Sequence, residues 1–313
     1  MKSRIITKVK NYTKEPLNLQ MSHTNNDGDI MEIAKKEVIT TPQSSTIIEV
    51  AKLMVEKGVR RLPVTDPGSG KLLGIITTMD ILDFFGGGKK YNLITGKHKG
   101  NFLSAINAPI KEIMTDHVKT INSTSTIIDA AAMMLEEHVG GIPVINHNEE
   151  IVGMVTEGDV VIKLKSLIAN KSVEDYMTTN IITTTPGTRI EGVTKIMVRN
   201  SLRRVPIVGE DPNGPRNNQE ILQGLITASD ILKYIGKNEL FTKLFSNEGE
   251  DVVDIPIKES MVTDLITVTK HDKLDDICEI MEEKDIRGIP IIDSDKNLVG
   301  IITIRDLLRT VVE

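Results

Sequence analysis

The chain has 313 residues, of which 39% are apolar, and its 38 basic and 44 acidic side chains give a net charge of −6. This mild acidic balance argues against nucleic acid as a partner, because neutralising phosphates requires a dense basic face. No run reaches the about 18 apolar residues of a membrane helix, the first residues lack the apolar core of a signal peptide, and the single cysteine, Cys278, excludes an internal disulfide. We therefore expect a cytoplasmic protein without a membrane segment.

The predicted elements begin after a polar extension at residues 1–29, which lacks the apolar content of a packed segment. Apolar residues at helical spacing then predict a helix that ends near Gly58. Residues 62–65 and 72–77 are apolar and bounded by turn residues, which predicts two strands. A second helix is expected to begin near Asp80.

The same order returns three more times. The motif Gly74-Ile-Ile-Thr-Thr-Met-Asp80 recurs at residues 153–159, 224–230 and 300–306, with Gly, Thr and Asp at fixed offsets. A strand motif around a proline and a short apolar leading segment precede every copy. Each copy therefore predicts a β-α-β-β-α unit of the α/β class. Because a unit of roughly 60 residues buries too little surface alone, we expect units to pair.

The repeats divide the chain into four units. We place them at residues 30–87, 108–167, 171–236 and 255–313, with linkers at 88–107 and 237–254. The Gly86-Gly-Gly-Lys-Lys stretch lacks the spacing and terminal Ser/Thr of a phosphate-binding P-loop, so we interpret it as a linker. A polar insertion at 209–220 predicts an extended surface loop in unit 3.

These motifs together resemble the cystathionine β-synthase (CBS) domain, including the Met-Thr that opens the family's unit at Met114-Thr115 and Met177-Thr178. The first unit departs from that pattern with Ala34-Lys35. The resemblance implies that two CBS domains form a Bateman module, and chain order pairs unit 1 with 2 and unit 3 with 4. Four units per chain resemble stand-alone archaeal four-CBS proteins and the γ subunit of AMP-activated protein kinase. Whether the modules form a disc within one chain or across a homodimer stays open.

An aspartate ends every motif copy, three residues after a threonine. This spacing is typical of a helix capping box. A carboxylate can also accept hydrogen bonds from the two hydroxyls of a ribose, and the resemblance implies that role. Both roles can coexist. The predicted ribose residues are Asp80, Asp159, Asp230 and Asp306, with Thr77, Thr156, Thr227 and Thr303.

Arginines precede the motif prolines in three of the four units. Their planar fork of donors suits phosphate oxygens, and the resemblance implies phosphate contact here; the alternative is a solvated or ion-paired side chain. Unit 2 carries Gly140 and Gly141 instead, so its site must borrow cations from its partner, bind a less charged ligand or stay empty. The predicted phosphate residues at this slot are Arg60, Arg61, Arg203, Arg204 and Arg287. Arg305, which directly precedes Asp306, is a further phosphate candidate by the same resemblance, and its alternative is an exposed residue at a helix start.

A bound adenine would be held mainly by apolar side chains and backbone groups. The family's leading threonine often contacts the ligand, and the alternative is a threonine on an exposed strand face. The apolar candidates suit a plain core equally well. These residues are Thr40, Thr120, Thr183 and Thr267, with Ile39, Leu62, Val64, Ile142, Val144, Val205, Ile207, Ile289 and Ile291.

No catalytic constellation stands out. The six histidines lack metal-ligand spacing, and Cys278 lies on a predicted helix face, where a buried thiol is expected. We therefore predict neither an enzyme, nor a metal, nor a catalytic cofactor. The favoured function is a regulatory sensor that binds AMP, ADP or ATP in its clefts and transmits occupancy to a partner protein. The alternative ligand is S-adenosylmethionine, which would best suit unit 2. An alternative from a different functional class is a scaffold subunit whose clefts stay empty.

Overall fold

The structure is a computed structural model that describes residues 30–210, 220–236 and 255–312. The predicted N-terminal extension, most of the unit 3 insertion and the second linker lie outside these residues. No described helix is both long and apolar enough to cross a lipid bilayer.

Four copies of one small α/β unit follow each other along the chain. The strands are β1 (Arg61–Thr65), β2 (Leu72–Thr77), β3 (Ile121–Asn122), β4 (Gly141–Ile145), β5 (Ile151–Thr156), β6 (Arg204–Glu210), β7 (Glu220–Thr227), β8 (Gly288–Ile292) and β9 (Leu298–Thr303). The helices are α1 (Ile47–Lys57), α2 (Thr78–Leu82), α3 (Asn92–Thr95), α4 (Phe102–Ile106), α5 (Ile127–Glu136), α6 (Glu157–Lys163), α7 (Val173–Tyr176), α8 (Ile190–Arg199), α9 (Ala228–Gly236), α10 (Leu274–Glu283) and α11 (Ile304–Val312).

Residues of the local sequence determine where helix α1 begins and ends. The Thr46 hydroxyl accepts a hydrogen bond from the backbone N–H of Glu49, and the Glu49 carboxylate accepts one from the backbone N–H of Thr46. This reciprocal capping satisfies two donors that a helix start leaves unpaired. At the other end Gly58 has φ 64°, a left-handed conformation that glycine adopts without a steric penalty.

The central strands of each unit form an antiparallel hairpin, whereas the leading strand is shorter than predicted. It is a two-residue strand, β3, in unit 2 and a single parallel bridge elsewhere, at Thr41, Thr184 and Val268. In units 1 and 3 a proline follows within two residues, and proline has no N–H with which to continue a ladder.

The units pair by exchanging their leading segments. Thr115 of unit 2 bridges to β2 of unit 1, and Lys35 of unit 1 bridges to β5 of unit 2. Thr178 and Val262 make the corresponding bridges between units 3 and 4. The predicted pairing into two modules, units 1 and 2 and units 3 and 4, is therefore confirmed.

The helices join the two modules. Helices α1 and α2 pack on α9, so one apolar core combines units 1 and 3. Helices α5 and α6 pack on α11, so a second core combines units 2 and 4. Each unit thus contacts one neighbour through exchanged backbone and another through helices, and the four units close a ring within a single chain.

Candidate functional site

Each motif aspartate caps its own helix with one carboxylate oxygen. In all four units Oδ2 accepts hydrogen bonds from the backbone N–H and the hydroxyl of the motif threonine. The four hydroxyl-to-Oδ2 distances are 2.6 Å. The threonine hydroxyl proton is therefore committed to the cap, and only its acceptor lone pairs remain for other partners. The capping interpretation is correct, and it leaves the second oxygen, Oδ1, for another role.

The surroundings of Oδ1 differ between the units. Asp159 Oδ1 has Lys35 Nζ at 3.9 Å, and Asp306 Oδ1 has Arg309 Nη1 at 3.6 Å. For Asp230, the described residues supply no partner to Oδ1, while Asp80 Oδ1 accepts a hydrogen bond from Lys90. The four sites therefore share a cap and differ in how open the outward oxygen is.

Asp306 is the most enclosed of the four aspartates, at 6% exposure. Burial raises the pKa of its carboxyl group, because a low-dielectric setting disfavours the charged form. The hydrogen bonds from Thr303 and the charge of Arg309 oppose this shift. Any further hydrogen-bond donor that reaches Oδ1 would stabilise the charged form of this buried carboxylate.

The six predicted arginines converge where the four units meet. We call them the central cluster: Arg60, Arg61, Arg203, Arg204, Arg287 and Arg305. They come from three different units and act on one another electrostatically, so that the pKa of Arg60 is lowered by burial and then by Arg287 and Arg203. Arg203 keeps 44% of its side chain exposed although desolvation lowers its pKa. Arg203 is therefore partly open to solvent while its charge acts on that of Arg305 and is opposed by Glu157.

Two members of the cluster cross to the paired unit. Arg61 lies against Gly141, and Arg204 lies against Gly288. Both guanidinium groups are enclosed, and desolvation lowers the pKa of each to about 10, so both still carry a charge at neutral pH. The glycines occupy the same motif slot as the arginines and make room for them.

Gly140 has a different neighbour, because Arg203 of unit 3 fills its slot. A Cβ on Gly140 would lie 2.5 Å from Arg203 Nη1. Unit 2, which lacks its own cation in this slot, thus receives one from the other module. Arg61 at Gly141 is the cation from the paired unit that the sequence allowed, whereas Arg203 at Gly140 comes from the other module, which the sequence did not predict.

Two buried nitrogens of the cluster have no hydrogen-bond partner in the part of the chain that the structure describes. They are Nη1 of Arg61 and Nη2 of Arg305. An unpaired buried donor is costly, and a charged one more so. Both nitrogens are enclosed within the cluster, so their cost adds to that of holding several cations close together.

One carboxylate of the centre was missed from the sequence. Glu157 is 4% exposed at its side chain, accepts a hydrogen bond from Arg305 Nε at 2.6 Å and lies 3.6 Å from Arg203 Nη1. Its slot holds Thr78, Ala228 or Ile304 in the other units. The sequence offered one signal for this residue, an acid at a position that is uncharged in the other three units. Its role could be seen only in the folded chain, where Arg305 lies beside it.

The predicted base-contact residues divide into two groups. The leading threonines are half-buried beside the hairpins, and Ile39 is partly buried with them. The other apolar candidates have no exposed surface and belong to the two cores: Leu62, Val64, Ile142, Val144, Val205, Ile207, Ile289 and Ile291. These eight side chains stabilise the walls of the clefts rather than line an open pocket.

The described residues hold no group of three or more His, Cys, Asp or Glu side chains with metal-binding geometry. Cys278 is buried in the core of units 2 and 4, and burial raises the pKa of its thiol. A raised pKa lowers the thiolate fraction, which is the reactive form.

The repeated unit, the exchanged leading segments and the capped aspartates define a class of regulatory module. The CBS domain model matches residues 30–87, 110–166, 173–237 and 252–313, and the chain belongs to the CBS domain family. The predicted resemblance and fold class are confirmed.

Among its relatives is the uncharacterised protein MJ1225 of Methanocaldococcus jannaschii, 39% identical over 282 residues, which cover 90% of this chain and 98% of that protein. The crystal structure of MJ1225, described there as a proposed archaeal homologue of γ-AMPK, matches with a TM-score of 0.84 at 38% identity, over 90% of this chain and 99% of that one.

Single CBS domain pairs also match. The pair of protein MJ0100, crystallised with 5′-methylthioadenosine and S-adenosyl-L-methionine, is 28% identical, with a TM-score of 0.35 over 42% of this chain and 96% of that one. Arabidopsis thaliana CBSX2, crystallised with AMP, is 22% identical, with a TM-score of 0.36 over 43% of this chain and 92% of that one.

Proposed function

We propose that this protein is a regulatory sensor of adenine nucleotides, which binds AMP, ADP or ATP around the centre of its ring. The observation that carries the proposal is the placement of the central cluster near three carboxylates, Asp159, Asp230 and Asp306, whose Oδ1 oxygens are not used by the helix cap. A ribose that donates to Oδ1 would direct its phosphate towards the arginines.

The expected contacts of such a ligand are consistent with micromolar affinity. Micromolar affinity corresponds to about 8 kcal/mol. A ribose clamp and charge-assisted contacts to phosphate, each worth roughly 1.5–3 kcal/mol, supply much of that free energy. Because Arg60, Arg203 and Arg287 come from units 1, 3 and 4, phosphate binding would link both modules. Ligand binding would then favour one arrangement of the ring, and a partner protein that distinguishes the arrangements would respond.

S-adenosylmethionine has less support as the ligand. Its cationic sulfur requires a site without arginine, and unit 2 was the candidate because Gly140 replaces the motif arginine. Arg203 lies against Gly140 and returns a positive charge to that position. The same sites would therefore repel the sulfonium group.

Thermal unfolding with separate ligands tests the proposal. A ligand of the native state stabilises it by about 2.7 kcal/mol at a hundred times its dissociation constant, so the midpoint rises with concentration. We expect AMP, ADP and ATP to raise the midpoint and adenosine to raise it less. A midpoint that none of them moves would favour the scaffold without ligand, and a rise with S-adenosylmethionine alone would favour the other ligand class.

A further inference from the structure

The first ribose position is already occupied by a residue of the chain itself. Lys90 Nζ donates a hydrogen bond to Asp80 Oδ1, the oxygen that the Thr77 cap leaves unused. The same ammonium donates to the backbone carbonyl of Ile113 at 2.5 Å. Ile113 belongs to the leading segment that unit 2 exchanges with unit 1, so Lys90 connects both units of the first module.

The segment that carries Lys90 is held by specific contacts. The backbone N–H of Lys90 donates to Asp83 Oδ1 at 2.8 Å. Gly86 has φ 132°, which side-chain-bearing residues rarely adopt. Gly88 is packed so closely that a Cβ there would lie 2.9 Å from Val198 Cγ1 of helix α8. The glycines that precede the two lysines thus allow a close fit that directs Lys90 into the cleft.

Within residues 30–210, 220–236 and 255–312, no side chain occupies the other three aspartates in this way. Lys35 is 69% exposed and remains 3.9 Å from Asp159, and Arg309 is 48% exposed and 3.6 Å from Asp306. Lys90 is only 24% exposed and its Asp80 partner 14%. An enclosed ion pair is screened less by water and salt than an exposed one.

We infer that Lys90 acts as an internal substitute for the ribose in unit 1 and excludes ribonucleotides from Asp80. An ammonium and a sugar diol need the same acceptor oxygen, so they cannot occupy it together. Nucleotide binding then depends on Asp159, Asp230 and Asp306, and the first cleft accepts a ribose only when the linker is displaced. This inference rests on the proposed function.

Calorimetric titration of AMP into the full chain gives the number of sites per chain. We expect Lys90→Ala to bind one more AMP than the wild type, and Lys90→Met, which keeps the apolar stem, to do the same. Lys89→Ala is the matched control, because Lys89 is exposed in the same turn, and it should leave the number unchanged. Adding Asp80→Ala to Lys90→Ala should remove the extra site.

The possible failures are distinguishable. If the wild type binds AMP and Asp80→Ala alone removes a site, ribose already reaches Asp80 and the inference is wrong. It is also wrong if both Lys90 variants bind as many AMP molecules as the wild type, or fewer. If neither the wild type nor any variant binds AMP, ADP or ATP in the same titration, the proposed function fails, and the inference fails with it.

Discussion

The guanidinium group of Arg61 occupies the space in which a side chain on Gly141 would stand. A Cβ on Gly141 would lie 2.8 Å from Arg61 Cζ and closer still to Nη1. Arg204 and Gly288 repeat the relationship in the second module, at 2.7 Å. The two residues of each pair occupy the same motif slot in paired units, so each module fills one shared space with one arginine.

Gly141→Ala should therefore destabilise the protein. A methyl group there forces Arg61 out of an enclosed position, and overpacking typically costs roughly 1–3 kcal/mol. Urea unfolding measures the loss. Gly187→Ala is the control, because Gly187 is exposed, does not need a left-handed backbone and has no atom of the described residues within 4 Å of an added Cβ. Equal stabilities for the two variants would contradict the account.

Glu157→Gln tests the internal counterion of the central cluster. Glutamine can still accept from Arg305, but Arg203 and Arg305 lose their negative partner. Losing a charge-assisted hydrogen bond costs roughly 1.5–3 kcal/mol, and we expect added inorganic phosphate to restore more stability to the variant than to the wild type. Thermal unfolding with and without phosphate measures both effects.

The control for Glu157→Gln is Glu149→Gln, which removes an exposed partner of Lys71. Surface ion pairs contribute little to stability, so this variant should unfold like the wild type and respond to phosphate in the same way. A Glu157→Gln variant as stable as the control, with the same phosphate response, would show that the arginines do not need this carboxylate.

The stability difference between the Asp306→Asn variant and the wild type should change with pH in a defined direction. Burial raises the pKa of Asp306, so between the ordinary and the raised pKa the folded state holds a proton that the unfolded state has released. The unfolding free energy of the wild type therefore falls as pH rises through that window. Because asparagine does not titrate, the variant should gain stability relative to the wild type as pH rises from about 4.

Asp293→Asn supplies a control of opposite sign. The Asn297 side chain donates to Asp293 and lowers its pKa, with further backbone hydrogen bonds in the same direction. The folded state then favours the charged form, so this variant should lose stability relative to the wild type as pH rises towards about 4, and the difference should level off above that pH. Urea unfolding between about pH 3 and pH 7 distinguishes the two trends. A pH-independent difference for Asp306→Asn would contradict its enclosed charge.

Arg60→Gln combined with Arg203→Gln tests the phosphate role. Both side chains face the centre, and both are accessible enough to be replaced without opening a cavity. We expect the double variant to lose at least tenfold in ATP affinity, about 1.4 kcal/mol, and little in adenosine affinity. Arg199→Gln, an exposed change at the end of α8, is the control. Equal losses for ATP and adenosine would argue against phosphate contact.

The sequence predicted the contacts that are local. Thr77 and Asp80 lie three residues apart in one helical turn, so their cap could be inferred from spacing alone. Arg61 and Gly141 are distant in sequence, and their fit exists only because the leading segments exchange. The two glycines of unit 2 suggested a missing cation, whereas in the folded chain they admit Arg61 and Arg203.

The roles of Lys90 and Glu157 could not be predicted from the sequence, because their contacts also depend on units that are distant in the chain. The Gly-Gly-Gly-Lys-Lys stretch has the composition of a linker, and its fit against helix α8 depends on unit 3. Glu157 lies beside a motif aspartate, and its partners Arg203 and Arg305 belong to the other module. Repeats reveal what the units share, while these two residues matter because they differ from their counterparts.

A crystal structure of the full chain grown with AMP tests the central claim most directly. We predict ribose hydroxyls within hydrogen-bonding distance of Oδ1 in Asp230 and Asp306, with the phosphate among Arg60, Arg203 and Arg287. Density for AMP that is absent from the ring, or a phosphate that points away from these arginines, would contradict the account.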